Sequence, residues 1–304
     1  MNRLLIGVFV GWTCGVSAGT APQDARAQSG PRVLVSAEWL GAHLKDPNLV
    51  ILHVAMLHEG VPKTLIPGAR VLDYHAVTED RGDLPVEIPA VATLVGVFEE
   101  AGVGTDKHVV LYGEGAPHLV ARVFVTLDYL GHGDSTSVLD GGLEAWKAEG
   151  RPVIAAPATA ERGKLVPHVR DDMLVSAEWI AARLNDPSVT LIDARPANEY
   201  TGEASPGGAR GGHIPGAYNL YFQDLVVARD NSRLKGLDYV KGRFDEAGAS
   251  KAVAVVSYCY IGMRASYTYL ISRHLGYDAK FYDPSWAEWG RRSDLPLSRG
   301  ESRR

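Results

Sequence analysis

Cys259 lies in the run Val255-Val256-Ser257-Tyr258-Cys259-Tyr260-Ile261-Gly262-Met263-Arg264-Ala265-Ser266, where an apolar strand pattern stops at the cysteine and a helical pattern resumes at the arginine. A cysteine at the carboxyl end of a strand, followed by a short glycine-containing loop into a helix, is surrounded by backbone N–H groups. It also faces the positive end of the helix, and both features favour ionised sulfur. Arg264 adds a full positive charge at the same mouth. The chemistry such a site supports is nucleophilic: a thiolate attacks and carries a group. The alternative is a buried, inert cysteine at a strand end.

The amino terminus bears on that choice. Arg3 is followed by an apolar run from Leu4 to Val16 and then by small residues up to Ala25-Arg26-Ala27, the pattern of a secretory signal peptide ending at residue 27. The run is short for a membrane span. Cys14 is not preceded by the residues of a lipoprotein signal, so the chain reads as exported and soluble, with a periplasmic location and no membrane contact after cleavage. Of the two cysteines, Cys14 leaves with the leader and Cys259 remains alone. A lone thiol in an oxidising compartment is either reactive by design or buried.

The elements that position Cys259 occur twice. Leu34-Val35-Ser36-Ala37-Glu38-Trp39-Leu40 returns as Leu174-Val175-Ser176-Ala177-Glu178-Trp179-Ile180, Ile66-Pro67-Gly68-Ala69 as Ile214-Pro215-Gly216-Ala217, and Glu100-Ala101-Gly102 as Glu246-Ala247-Gly248. Such correspondence marks two duplicated domains, at 33–153 and 171–298, joined by a linker at 154–170 without periodicity. In each, a helix opened by a serine cap precedes a continuous apolar strand, as with Ser176, the helix Ala177 to Leu184 and the strand Val189 to Ala194. Apolar strands alternating with helices imply an α/β fold with an open, mostly parallel sheet covered on both faces. The first domain carries Gly113 where the second has Cys259, and thus no nucleophile. It is left to wall a cleft or to stabilise its partner. The Arg-rich end from Arg291 to Arg304 reads as a solvated tail.

Composition narrows the function classes. A net charge of -5 and a pI near 6.1 give no basic footprint for nucleic acid. The histidines do not cluster with carboxylates or cysteine at ligand spacings, so neither metal nor cofactor is expected.

Taken together, Leu191-Ile192-Asp193-Ala194-Arg195 with Glu199-Tyr200-Thr201-Gly202, Gly212-His213-Ile214-Pro215-Gly216-Ala217, the Cys259 to Arg264 loop, Val138-Leu139-Asp140-Gly141-Gly142-Leu143-Glu144-Ala145-Trp146 and Ser285-Trp286-Ala287-Glu288-Trp289-Gly290 carry a resemblance. The mature chain resembles a tandem-domain rhodanese, a thiosulfate sulfurtransferase. The resemblance implies two rhodanese-like α/β domains, the active cysteine on the second, and substrate bound between them. The implied partners are a small-molecule sulfur donor and a cyanide or thiol acceptor.

The loop itself fits sulfur chemistry. Four residues separate Cys259 from Arg264, a tight cradle, whereas the Cys-dependent phosphatases that resemble this fold insert one more residue for a dianionic phosphate. Catalytic roles fall to Cys259 and Arg264, the guanidinium offering paired donors to a sulfonate. Substrate contacts are expected from Tyr260, Ile261, Gly262 and Met263. Asp193 and Arg195, just past a strand's carboxyl end, are candidates as well; the alternative for them is structural, with Asp193 accepting loop N–H bonds or pairing with arginine. His213 reads as a turn residue bonded to backbone, and Trp286 and Trp289 as packing under the cleft.

Departures from the resemblance concern substrate. Related mercaptopyruvate sulfurtransferases resemble Cys-Gly-Ser-Gly-Val-Thr in the loop and have a histidine before the first Ile-Pro-Gly, where this chain has Leu65. Both differences favour thiosulfate over 3-mercaptopyruvate. Vertebrate rhodaneses place a substrate-binding arginine at Glu199 and an aromatic residue at Met56, so anchoring here leans on Arg264. A persulfide carrier serving a protein partner is the non-turnover alternative.

Overall fold

Ser36 and Ser176 begin equivalent helices, each side chain accepting the backbone N–H three residues on, from Trp39 and Trp179. The structure is a computed structural model that describes Met1 and residues 32–159 and 161–301. The leader lies outside the described residues. Among those described, no helix is long and apolar enough to cross a membrane.

The first half contains strands β1 (Leu34–Val35), β2 (Leu49–Ala55), β3 (Arg70–Asp73), β4 (Glu79–Arg81), β5 (Leu84–Glu87), β6 (His108–Tyr112) and β7 (Thr136–Leu139). Helices α1 (Ala37–His43), α2 (Val91–Glu100), α3 (Pro117–Tyr129) and α4 (Gly142–Ala148) alternate with them. Strands order as β1-β7-β6-β2-β3, all parallel, while β4 and β5 form a separate antiparallel hairpin. The second half repeats the plan with β8 (Val189–Asp193), β9 (Tyr218–Asn219), the hairpin β10 (Val226–Ala228) and β11 (Asn231–Leu234), β12 (Ala254–Tyr258) and β13 (Asp278–Phe281). Its helices are α5 (Ala177–Ala181), α6 (Ala197–Thr201), α7 (Leu237–Glu246), α8 (Met263–His274) and α9 (Ser285–Trp289), and its parallel sheet orders as β13-β12-β8-β9. The strand that ends at Cys259 is therefore central, as is its counterpart β6. Central strands are buried on both faces, which explains why Val255, Val256, Val109 and Val110 have no accessible surface.

The described residues from Arg32 onward belong to one compact unit. Helices α3 and α8 meet at its centre, and one apolar cluster runs from Val120, Phe124 and Leu127 to Ala265, Tyr269 and Leu270. The two halves thus share a core. The segment 154–170 is laid along the first half instead of hanging free: Ile154 pairs with Leu65, Gly163 N–H donates to Glu99, and His168 N–H to Leu130. The tail also departs from expectation. His213 and Ser298 exchange backbone bonds at 2.9 Å, and Gly300 N–H reaches Thr201. Leu295 and Leu297 pack on the cluster that holds Trp289, and Arg210 gathers the carbonyls of Arg292 and Leu295, so apolar burial docks a stretch whose charge suggested solvent.

Charged groups also cross the seam. Arg122 of α3, without accessible surface, donates to Asp283 at 2.5 Å, and Asp283 also accepts the N–H of Ile88 at 2.7 Å. Glu87 stands beside them, 4 % exposed. Burial, reinforced by the Asp283 charge and opposed by Arg122 and Arg81, pushes its carboxyl up to about 8 from 4.5. The folded protein therefore keeps a proton that the unfolded chain releases. The stabilising contribution is complete below about 4.5, is lost as pH rises to about 8, and is level above that. Urea midpoints measured across this range should fall with rising pH in the native protein, and with a distinctly smaller slope in Glu87→Gln.

Candidate active site

Cys259 follows β12 directly and is fully buried. The chain then turns through Tyr260, Ile261 and Gly262 into α8. Gly262 takes φ 76°, and a Cβ there would lie within 3 Å of Asp283 oxygens, so the turn requires glycine. The loop is held from outside by Ser285 at the start of α9. Its Oγ accepts the N–H of Cys259 at 3.1 Å and of Gly262 at 3.2 Å while donating to the Tyr282 carbonyl at 2.8 Å. The carbonyls of Cys259 and Tyr260 accept from Trp286 and Ala287. The amides of Tyr260, Ile261, Met263, Arg264 and Ala265 donate to no described residue. They form the set of donors open to a sulfur anion carried by Cys259.

Arg264 does not present a free fork. Both terminal nitrogens are bonded to the Glu199 carboxylate, at 2.7 and 2.8 Å, so α6 and α8 are tied by a bidentate pair. Burial pulls the arginine's pKa down, but the Glu199 bonds and the charge of the Cys259 thiolate together hold it above its ordinary value. Glu199 was read from sequence as a departure, standing where vertebrate rhodaneses place a substrate-binding arginine; the tertiary fold makes it the partner of Arg264.

Asp193 and Arg195 stand beneath the loop, both without accessible surface, joined through 2.6 and 2.9 Å bonds. Arg195 also donates to the Gly212 carbonyl and lies 4.6 Å from the Trp286 ring centre. The two charges close on one another beneath packed tryptophan, which is the arginine pairing weighed for Asp193 as the structural alternative. Ile261 and Met263 contribute apolar surface near the cysteine, and Tyr260 packs at the edge of the second cluster. His213 Nδ1 donates to the Tyr200 carbonyl, 2.9 Å away, and the imidazole stacks on the Tyr200 ring. Trp286 and Trp289 are buried, their indole nitrogens bonded to Arg210 and Pro296 carbonyls.

The rhodanese-like domain model matches residues 36–149 and 176–292. The chain belongs to the rhodanese-like family. This tandem rhodanese is 31% identical over 292 residues to the sulfur carrier protein TtuD of Thermus thermophilus, covering 89% of this chain and 98% of the relative. It is 32% identical over 272 residues to a thiosulfate sulfurtransferase of Azotobacter vinelandii, covering 88% and 97%. The crystal structure of SseA from Escherichia coli, described as showing the rhodanese fold of 3-mercaptopyruvate sulfotransferases, superposes with a TM-score of 0.71 at 25% identity, covering 84% of this chain and 99% of that one. The family is thus one of sulfurtransferases, and its named members differ in donor and in role.

Two participants in this rhodanese site escaped sequence reasoning. Ser285 is one; its motif was visible, but no local pattern says that a serine 26 positions on would collect loop amides. The other is His118, from the first half. Its ring meets Phe222 edge-on with centroids 5.2 Å apart, and its Nδ1 has no partner. Burial, aided by the positive charge of Arg264, lowers its pKa to about 4, so the imidazole is neutral at physiological pH. The degenerate half therefore sets a neutral imidazole against Phe222 of the second half.

Proposed function

We propose that this protein moves sulfane sulfur from thiosulfate through a persulfide on Cys259 to cyanide or a thiol. The supporting observation is the set of unbonded amides that follows a buried thiol at the carboxyl end of a central strand. The Cys259 thiolate attacks the outer sulfur of thiosulfate, the S–S bond breaks, and sulfite leaves with the electron pair. The persulfide anion then rests on the loop amides. A cyanide or thiolate attacks its terminal sulfur, takes that atom, and returns the electron pair to Cys259.

The Arg264–Glu199 clamp favours a second reading. With the guanidinium already neutralised, a dianionic donor gains less from it, which suits a carrier loaded by another persulfide. The likeness to a sulfur carrier supports the same alternative. The loop sequence speaks against 3-mercaptopyruvate. Export through the apolar leader belongs to the proposal, with the mature chain beginning near Gln28.

Intact mass spectrometry tests these points together. After thiosulfate, the native protein should gain about 32 Da, lose it on adding cyanide, and show no gain in Cys259→Ser. Loading from a thiol persulfide but not from thiosulfate would establish the carrier reading, and no adduct from any sulfur donor would sink sulfur transfer. The mass of protein recovered from its producing cells also reads the leader's removal.

A further inference from the structure

The duplication fixes which residue in one half replaces which in the other. In β2 and β6, His53 lies opposite Tyr112; in β8 and β12, Asp193 lies opposite Tyr258. The two tyrosines confirm the match, because the hydroxyl of Tyr112 accepts from Ile66 N–H and that of Tyr258 from Ile214 N–H. His53 therefore occupies the place of Asp193, Ala55 that of Arg195, and Gly113 that of Cys259. In the second half the buried ion pair fills the space at the strand ends. In the first half an alanine and a glycine leave it open.

The result is a cleft of about 420 Å³ at the carboxyl ends of β2 and β6, where parallel sheets place ligands. His53 lines its floor, 2 % exposed, with an Nδ1 that has no hydrogen-bond partner. Burial lowers its pKa to about 4, against the opposing influence of Glu114, so the ring is a neutral hydrogen-bonding group. Met56 and Leu119 add apolar wall. At the rim stand Lys63 and Glu59, both exposed, and neither forms an ion pair with a described residue. Glu114, also at the rim, is engaged by Lys147 at 3.3 Å. A buried polar atom left without a partner is costly, and here it borders a space bounded by one free cation and one free anion.

We propose that this cleft is a second binding site, taking an amino acid or short peptide as its zwitterion. Lys63 receives the carboxylate, Glu59 the ammonium, and His53 a polar group at the floor. The assignment does not depend on sulfur transfer.

Calorimetric titration of the Cys259→Ser protein with cysteine and with glutathione tests it while keeping the thiol site silent. Saturable one-site binding of either is expected, weakened about tenfold or more by Lys63→Ala and by His53→Ala. Lys63 is an exposed side chain, so its removal leaves folding intact. Restoring Cys259 in the Lys63→Ala protein should leave persulfide formation unchanged. The proposal is overturned if neither ligand saturates at millimolar concentration, if Lys63→Ala binds as well as the parent, or if N-acetylated and amidated forms bind equally.

Discussion

Asp193→Ala is expected to destabilise the protein by about 3–5 kcal/mol, because it leaves the Arg195 guanidinium buried without its counter-charge. Arg195 has no accessible surface, and its remaining bond is to the Gly212 carbonyl. A domain's total stability is of similar order, about 5–15 kcal/mol, so the variant should melt far below the parent and lose persulfide formation with its fold. Removing both charges distinguishes the cause. Asp193→Leu combined with Arg195→Met replaces the pair with apolar volume, and buried pairs so replaced are often neutral in stability. The double variant should recover most of the loss, giving a large coupling energy in a urea-denaturation cycle. If instead the two losses simply add, the charges do not act as a pair.

Ser285→Ala should cost about 2–6 kcal/mol, since two buried amides, those of Cys259 and Gly262, lose their Ser285 acceptor and each unpaired group costs about 1–3 kcal/mol. Ser285 also has φ 53°, a left-handed conformation that alanine tolerates no better than serine. Ser285→Gly keeps that backbone without strain, although it removes Cβ together with the hydroxyl. The two variants should therefore share the same loss of sulfur loading from thiosulfate, measured as the rate of the mass gain, while the glycine variant is no less stable than the alanine one. Loading at the parent rate in both would show that the loop holds its shape without Ser285.

Ser285 thus holds two loop amides, alongside the bonds from Trp286 and Ala287 to the loop carbonyls, and the buried Asp193–Arg195 pair lies at the end of the neighbouring strand. Arg264 was legible as the loop's arginine because a fixed spacing from Cys259 identifies it. Its tie to Glu199 was not, although Glu199 was noticed as unusual, because a pair 65 positions apart leaves no local trace. His118 is similar: it meets Phe222, 104 positions on, only because the two halves pack together.

Sequence alone determined what depends on neighbours along the chain. Serine caps, apolar strands and the duplicated segments specify two α/β halves, since strand and helix periodicities and caps are set within a few residues. The position of Cys259 at a strand's end and the loss of a thiol at Gly113 follow from the same patterns. Tertiary structure decided which charges neutralise one another. The pairing of Arg264 with Glu199, the closed Asp193–Arg195 pair, the docking of the tail and the opening of the cleft at His53 each depend on what long-range packing brings within a few ångströms. Electrostatic and hydrogen-bond energies are decided at that distance.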